Sequence, residues 1–110
     1  MSSGIINGNT FASYIISGTL TPAATATITA VEQTFTSAPF NQLKVGDFVS
    51  VNPPSITTGV GIVGARVSAA GTLAITFVNP TAGSLTAPSG TYVVSVLRPE
   101  ANIAKTSIVD

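Results

Sequence analysis

The chain predicts an all-β fold: a small antiparallel β-sandwich or barrel-like (jelly-roll-like) domain with extended terminal arms. Three observations carry that reading. Short apolar and Thr-rich runs alternate with a period of two, the signature of strands with one buried face. Ten glycines and seven prolines in 110 residues break those runs into short pieces. No amphipathic helical stretch of useful length intervenes, so sheet must pack on sheet to bury the apolar faces. A chain of 110 residues can build one core but not two. The expected organisation is an N-terminal arm over 1–12, a β-sandwich domain over 13–99 and a C-terminal tail over 100–110.

Residues 1–12 are rich in Ser, Gly and Asn and hold no sustained pattern, hence the arm. Tyr14, Ile15 and Ile16 form a short strand-like run that stops near Gly18. After a turn at Thr21-Pro22, Thr25 to Ala30 alternates, which predicts a strand with Ala26, Ile28 and Ala30 on the inner face. The alternation loses its register near Glu32 and Gln33, where a bulge or bend is expected. Residues 36–46 read as a connection, followed by a strand Phe48–Val51 that Pro53-Pro54 ends.

The second half is more regular. Val60 to Val67 alternates with Val63, Ala65 and Val67 on one face and Arg66 on the other. Ala69-Ala70-Gly71 suits a hairpin turn because glycine takes positive φ without a Cβ penalty. Leu73, Ile75 and Phe77 line one face of the returning strand, so a hairpin over 60–78 is the strongest local signal. A loop from Asn79 to Gly90 precedes the last long strand, Thr91–Leu97, closed by Arg98-Pro99. The core expected from these faces is Ile28, Phe35, Phe48, Val63, Val67, Leu73, Ile75, Phe77, Val94 and Val96.

Charge is scarce. Glu32, Asp47, Glu100 and Asp110 balance Lys44, Arg66, Lys105 and Arg98, so the net charge is zero while 45% of residues are hydrophobic. Little electrostatic repulsion keeps copies apart, and a surface covered by other copies or by a larger assembly is expected. Nucleic acid is not an expected partner, because binding phosphates takes several clustered cations. A membrane span is not expected either, since Thr, Ser or Gly interrupts every apolar stretch well before about 18 residues. The start, Met1-Ser2-Ser3-Gly4, lacks the basic and apolar blocks of a signal peptide. Pro80 after Asn79 blocks the one near-match to a glycosylation acceptor.

The chemistry-bearing residues are few. The sequence has neither His nor Cys, which removes the usual general base near neutral pH, the thiol nucleophile and most zinc or copper ligands. Glu32 and Asp47 are the two carboxylates that an acid–base pair would need, yet nothing in their spacing brings them together. Gly59, Gly61 and Gly64 have the spacing of a dinucleotide fingerprint but lie in a strand context with no following helix, so close packing or a bend explains them better. No enzyme activity, cofactor, catalytic residue or metal site is therefore expected. Tyr14 and Tyr92 are candidate ring platforms, with core packing the commoner use of a tyrosine. Arg66 and Arg98 lie in strands with apolar neighbouring faces and are candidates for charge-assisted bonds to a partner's carboxylate.

Three segments, Lys44–Pro54, Gly61–Gly83 and Gly90–Pro99, resemble small virion structural proteins of tailed bacteriophages. The carrying motifs are the G-D-x-V turn at Gly46–Val49, the A-R-V-S-A-A-G-T hairpin at Ala65–Thr72 and the F-x-N-x-T-A stretch at Phe77–Ala82. The likeness spans about residues 24–99 and is closest to head decoration, or cement, proteins. It implies a non-enzymatic protein on the outer capsid surface of the virion, a homotrimer bound to the major capsid protein. A tail or fibre module, engaged in assembly or host glycan recognition, is the alternative within the same likeness. A β-sandwich interaction module unrelated to virions is a further one.

Overall fold

The computed structural model describes residues 10–99, so the expected tail over 100–110 and most of the expected arm lie outside the described residues. Eight strands follow one another: β1 (Thr10–Leu20), β2 (Ala24–Thr25), β3 (Thr29–Phe35), β4 (Phe48–Asn52), β5 (Gly61–Ala69), β6 (Thr72–Asn79), β7 (Leu85–Thr86) and β8 (Gly90–Pro99). All pairings are antiparallel. They form a sheet β1-β8-β4, a sheet β3-β6-β5 and a two-stranded ribbon β2-β7. The domain is all-β, as the period-two runs predict, and its strands sort into separate sheets rather than one closed ladder.

Both three-stranded sheets contribute to one core. Tyr92, Val94 and Val96 enter it from β8, Leu20 from β1, and Leu73, Ile75 and Phe77 from β6, with Val67 from β5. Tyr14, Ile16, Val49, Val51, Ile62 and Phe35 pack around it. Each fully buried side chain of this size contributes roughly 1.5–3 kcal/mol. The β5–β6 hairpin is present as the sequence predicts, and Gly71 takes a φ of 76° at its tip.

Three expected core residues are instead on the surface: Ile28 is 73% exposed, Phe48 65% and Val63 65%. Each has a physical reason. The alternation from Thr25 to Ala30 is not one strand, because residues 26–28 turn and Ile28 sits at φ 51°. The threonine hydroxyls that suggest a strand hold that turn: Thr29 donates to the Ala26 carbonyl at 2.8 Å, and Thr27 to the carbonyl of Thr81. The break thus falls before β3, while Glu32 and Gln33 pair with Thr76 and Ile75 in an unshifted ladder where a bulge was expected. Val63 is the extra residue of a β-bulge between Ile62 and Gly64. The bulge puts Ile62, not Val63, on the face of Ala65 and Val67. In β4 the inward phase belongs to Val49 and Val51, which leaves Phe48 outside.

The connection over 36–46 supplies core rather than merely spanning it. A 3₁₀ turn at Phe40–Gln42 places Phe40, and then Leu43, in full burial. Phe40 fits because position 18 has no side chain: a Cβ there would lie 2.8 Å from the Phe40 ring and 2.8 Å from Pro39 Cδ. The Gly71 N–H donates to the Leu43 carbonyl at 2.8 Å, which ties the hairpin tip to this plug. At the opposite end, buried Asn79 satisfies both ends of its amide. Its Nδ2 donates to the Thr25 and Gly83 carbonyls at 3.0 and 2.8 Å, and its Oδ1 accepts from the Thr81 N–H and hydroxyl.

The two phenylalanines separate core from surface. Phe77→Ala is expected to cost about 3–5 kcal/mol, and Phe48→Ala no more than about 0.5 kcal/mol. Chemical denaturation of both variants checks this, and a large loss at Phe48 would contradict its exposed position.

Candidate interaction surface

The outward face of the β1-β8-β4 sheet is built by the strand period. Residues of β1 with even numbers from Tyr14 to Leu20 point to the core, so Ser13, Ile15, Ser17 and Thr19 point out. Register then aligns Ser13 with Leu97 and Phe48, Ile15 with Ser95 and Ser50, and Ser17 with Val93 and Asn52. Ile15 is 69% exposed and Phe48 65%, with Leu97 also exposed between Ser13 and Phe48. Among the described residues this face carries no charged side chain. It offers apolar groups set among hydroxyls and one amide, without the field that steers charged partners.

The charges are used inside the chain. Arg98 forms a two-pronged bond to Asp47, Nε to Oδ1 at 2.9 Å and an Nη to Oδ2 at 2.8 Å. The same guanidinium donates to the Tyr14 hydroxyl at 3.0 Å and to the Gln42 carbonyl at 3.3 Å, and lies 5.7 Å from the Tyr14 ring centre. The Lys44 N–H donates to Asp47 Oδ2 at 3.0 Å. Gly46 takes a φ of 102° in the intervening turn, which accounts for the Gly46-Asp47 pair physically. Burial pushes the Asp47 carboxyl up, but the bonds from Arg98 and Lys44 and the arginine's charge outweigh it and hold the pKa below its ordinary value.

Arg66 reaches over β6 to Glu32, with Nε to Oε2 at 2.8 Å and an Nη to Oε1 at 3.0 Å. The bond from Arg66 lowers the Glu32 pKa, and this exposed pair is a modest stabiliser. Both arginines that were candidates for a partner's carboxylate meet carboxylates of their own chain. Glu32 lies on β3 and Asp47 just before β4, each held by its own arginine, and they do not form an acid–base pair. Tyr92 is fully buried and donates its hydroxyl to the Pro88 carbonyl at 2.6 Å, while Tyr14 packs against the core under Arg98. Neither is a free ring platform. Gly59 lies in a turn and Gly61 and Gly64 in β5, and among the described residues no helix follows them to receive a phosphate.

One open cavity of about 260 Å³ lies where β4, β5 and the segment before β8 meet. Its walls are mostly apolar, including Val51, Ile56, Ile62 and Pro88, with Ser55 and Thr57 at its polar side. No carboxylate or cation lines it, and the Ser55 and Thr57 hydroxyls are its polar side chains away from Tyr92. Among the described residues no three His, Cys, Asp or Glu side chains come together, and no helix is long and apolar enough to cross a membrane.

The chain matches no protein-family model, no curated protein and no solved structure.

Sequence reasoning did not assign Ile15, Phe48 and Leu97 to one face. The signal that would have joined them is the cross-strand register, which no single run contains.

Asp47→Asn removes the charge that neutralises Arg98 and is expected to cost about 2–3 kcal/mol near neutral pH, somewhat under the loss for a fully buried pair. Because the folded pKa of Asp47 is depressed, its contribution is complete above the ordinary value near 3.8 and is lost as pH falls through the lower folded value. Melting both proteins from about pH 7 to about pH 2 should bring their midpoints together in acid. A constant gap would remove Asp47 from the acid response.

Proposed function

We propose that this chain is a non-enzymatic virion structural protein that decorates the outside of a phage capsid by binding the major capsid protein. The observation that carries the reading is the uncharged outer face of the β1-β8-β4 sheet, with Ile15, Leu97 and Phe48 exposed on it. A cement must adhere to a shell that offers the same neutral-to-apolar surface many times over. A rigid sheet face with few side chains to immobilise meets that need at low entropic cost. The likeness of the segments around Gly46-Asp47 and Ala65–Thr72 to head decoration proteins supports the same conclusion.

The finer fold reading belongs here too. Two sheets sharing one core favour a sandwich, and the order β1-β8-β4 over β3-β6-β5 lends the jelly-roll version no particular support. A tail or fibre module reading glycans receives less support, because both tyrosines that would serve as sugar platforms are engaged inside the domain.

The test is co-sedimentation of the purified protein with expanded capsids that lack it. Saturable binding to expanded shells is expected, with copies per shell repeat read from the plateau, three if the resemblance holds. Phe48→Asp should abolish retention without lowering the melting midpoint, since the ring is exposed. Absence of wild-type binding to expanded and unexpanded shells alike would overturn the proposal.

A further inference from the structure

The β1-β8-β4 sheet ends on one side at β1, and the order β1-β8-β4 leaves the outer edge of β1 without a partner strand among the described residues. An unpaired edge presents a row of N–H and C=O groups ready to accept another strand, and proteins usually blunt it with charge, proline, brevity or a bulge. β1 has none of these over its main length. It runs for 11 residues, TFASYIISGTL, without a charged residue or a proline. Its ladder with β8 is unshifted from Ala12 to Leu20. At a rise of about 3.4 Å per residue such a strand offers an edge of roughly 35 Å.

The other edges are managed. β3 carries Glu32, paired with Arg66, and enters from the left-handed Ile28 turn. β4 and β5 lie against each other, and β2 and β7 are two residues long. The asymmetry singles out one edge.

We infer that the β1 edge pairs antiparallel with β1 of a second copy of this chain about a twofold axis at Ile15, joining two three-stranded sheets into one of six strands. The occupant follows from three features. Ile15 is the midpoint of Thr10–Leu20, and antiparallel self-pairing about it sets Ala12–Gly18 of the two copies opposite each other, within the unshifted stretch and self-complementary by symmetry. Pairing is then Ile15 with Ile15, Ser13 with Ser17 and Tyr14 with Ile16 of the second copy, and every side chain keeps its face. Ile15, 69% exposed in one chain, packs against its own equivalent beside the row that Leu97 and Phe48 form with Ser13. Finally, a chain of zero net charge brings no repulsion to the encounter. The arrangement departs from the trimer implied by the resemblance, and it does not depend on capsid binding.

The test uses the full chain in solution. Sedimentation velocity over a concentration series should show a monomer–dimer equilibrium, and Ile15→Lys, placing like charges directly opposite each other, should be monomeric where the wild type is dimeric. A second variant guards against a folding defect. The chain has no cysteine, so Ile15→Cys provides one thiol per copy. Directly opposed antiparallel residues have Cα atoms about 4.5–5.5 Å apart, within the roughly 4.4–6.8 Å that a disulfide spans. Mild oxidation should convert Ile15→Cys to a covalent dimer and leave Ser50→Cys, on the far strand of the same face, uncrosslinked. A wild-type protein monomeric up to its solubility limit overturns the inference, whether or not it binds capsids, and assigns the edge to another occupant. So does a trimer, or a dimer in which Ile15→Cys fails to cross-link.

Discussion

The bond between Arg98 and Asp47 sets more of this structure than its size suggests. The Asp47 side chain is 1% exposed and that of Arg98 18%, so each charge has given up most of its water and is tolerable only with the other in place. Arg98 also reaches the Tyr14 hydroxyl on β1 and the Gln42 carbonyl of the plug, which gathers three separate pieces of chain at one guanidinium. Its consequence extends outward. Asp47 and Arg98 point inward next to Phe48 and Leu97, which are cross-strand partners, so the strand period turns both apolar neighbours out.

The core shows a second economy. Few large side chains are present, and the space between the sheets is completed by a connection rather than by a strand. Phe40 lies where Gly18 leaves room, and Leu43 accepts the hydrogen bond of the Gly71 turn. Sheet, plug and hairpin tip are thereby coupled, and a change at any of these glycines would be felt at the other two elements. The far end is organised differently, by the buried amide of Asn79, which binds the ribbon and the loop after β6 with no charge at all.

These features have a bearing on function through what they leave at the surface. With Arg98 committed to Asp47, the outer face of the β1-β8-β4 sheet carries no charged side chain among the described residues and presents apolar groups, hydroxyls and an open backbone edge. Contacts of that kind respond weakly to salt. The face and the edge are distinct features: the face presents Ile15, Leu97 and Phe48, and the edge presents the backbone groups of β1 that no described strand pairs.

The sequence by itself determined the all-β antiparallel class, the β5–β6 hairpin with its Gly71 turn, and the inner residues Val67, Leu73, Ile75, Phe77, Val94 and Val96, because period-two patterns and turn chemistry are local properties. It also shows that the chain has no histidine or cysteine to serve as a general base, thiol nucleophile or soft metal ligand. Tertiary structure alone decided the rest. Val63 left the core through one inserted residue, and Ile28 through a turn held by threonine hydroxyls, neither of which disturbs the written alternation. Phe40 and Leu43 became core because Gly18, far away in sequence, made room for them. Ile15, Leu97 and Phe48 became one surface only when β8 came to lie between β1 and β4, for the order of strands in a sheet is set by contacts between distant segments and is not written in any one of them.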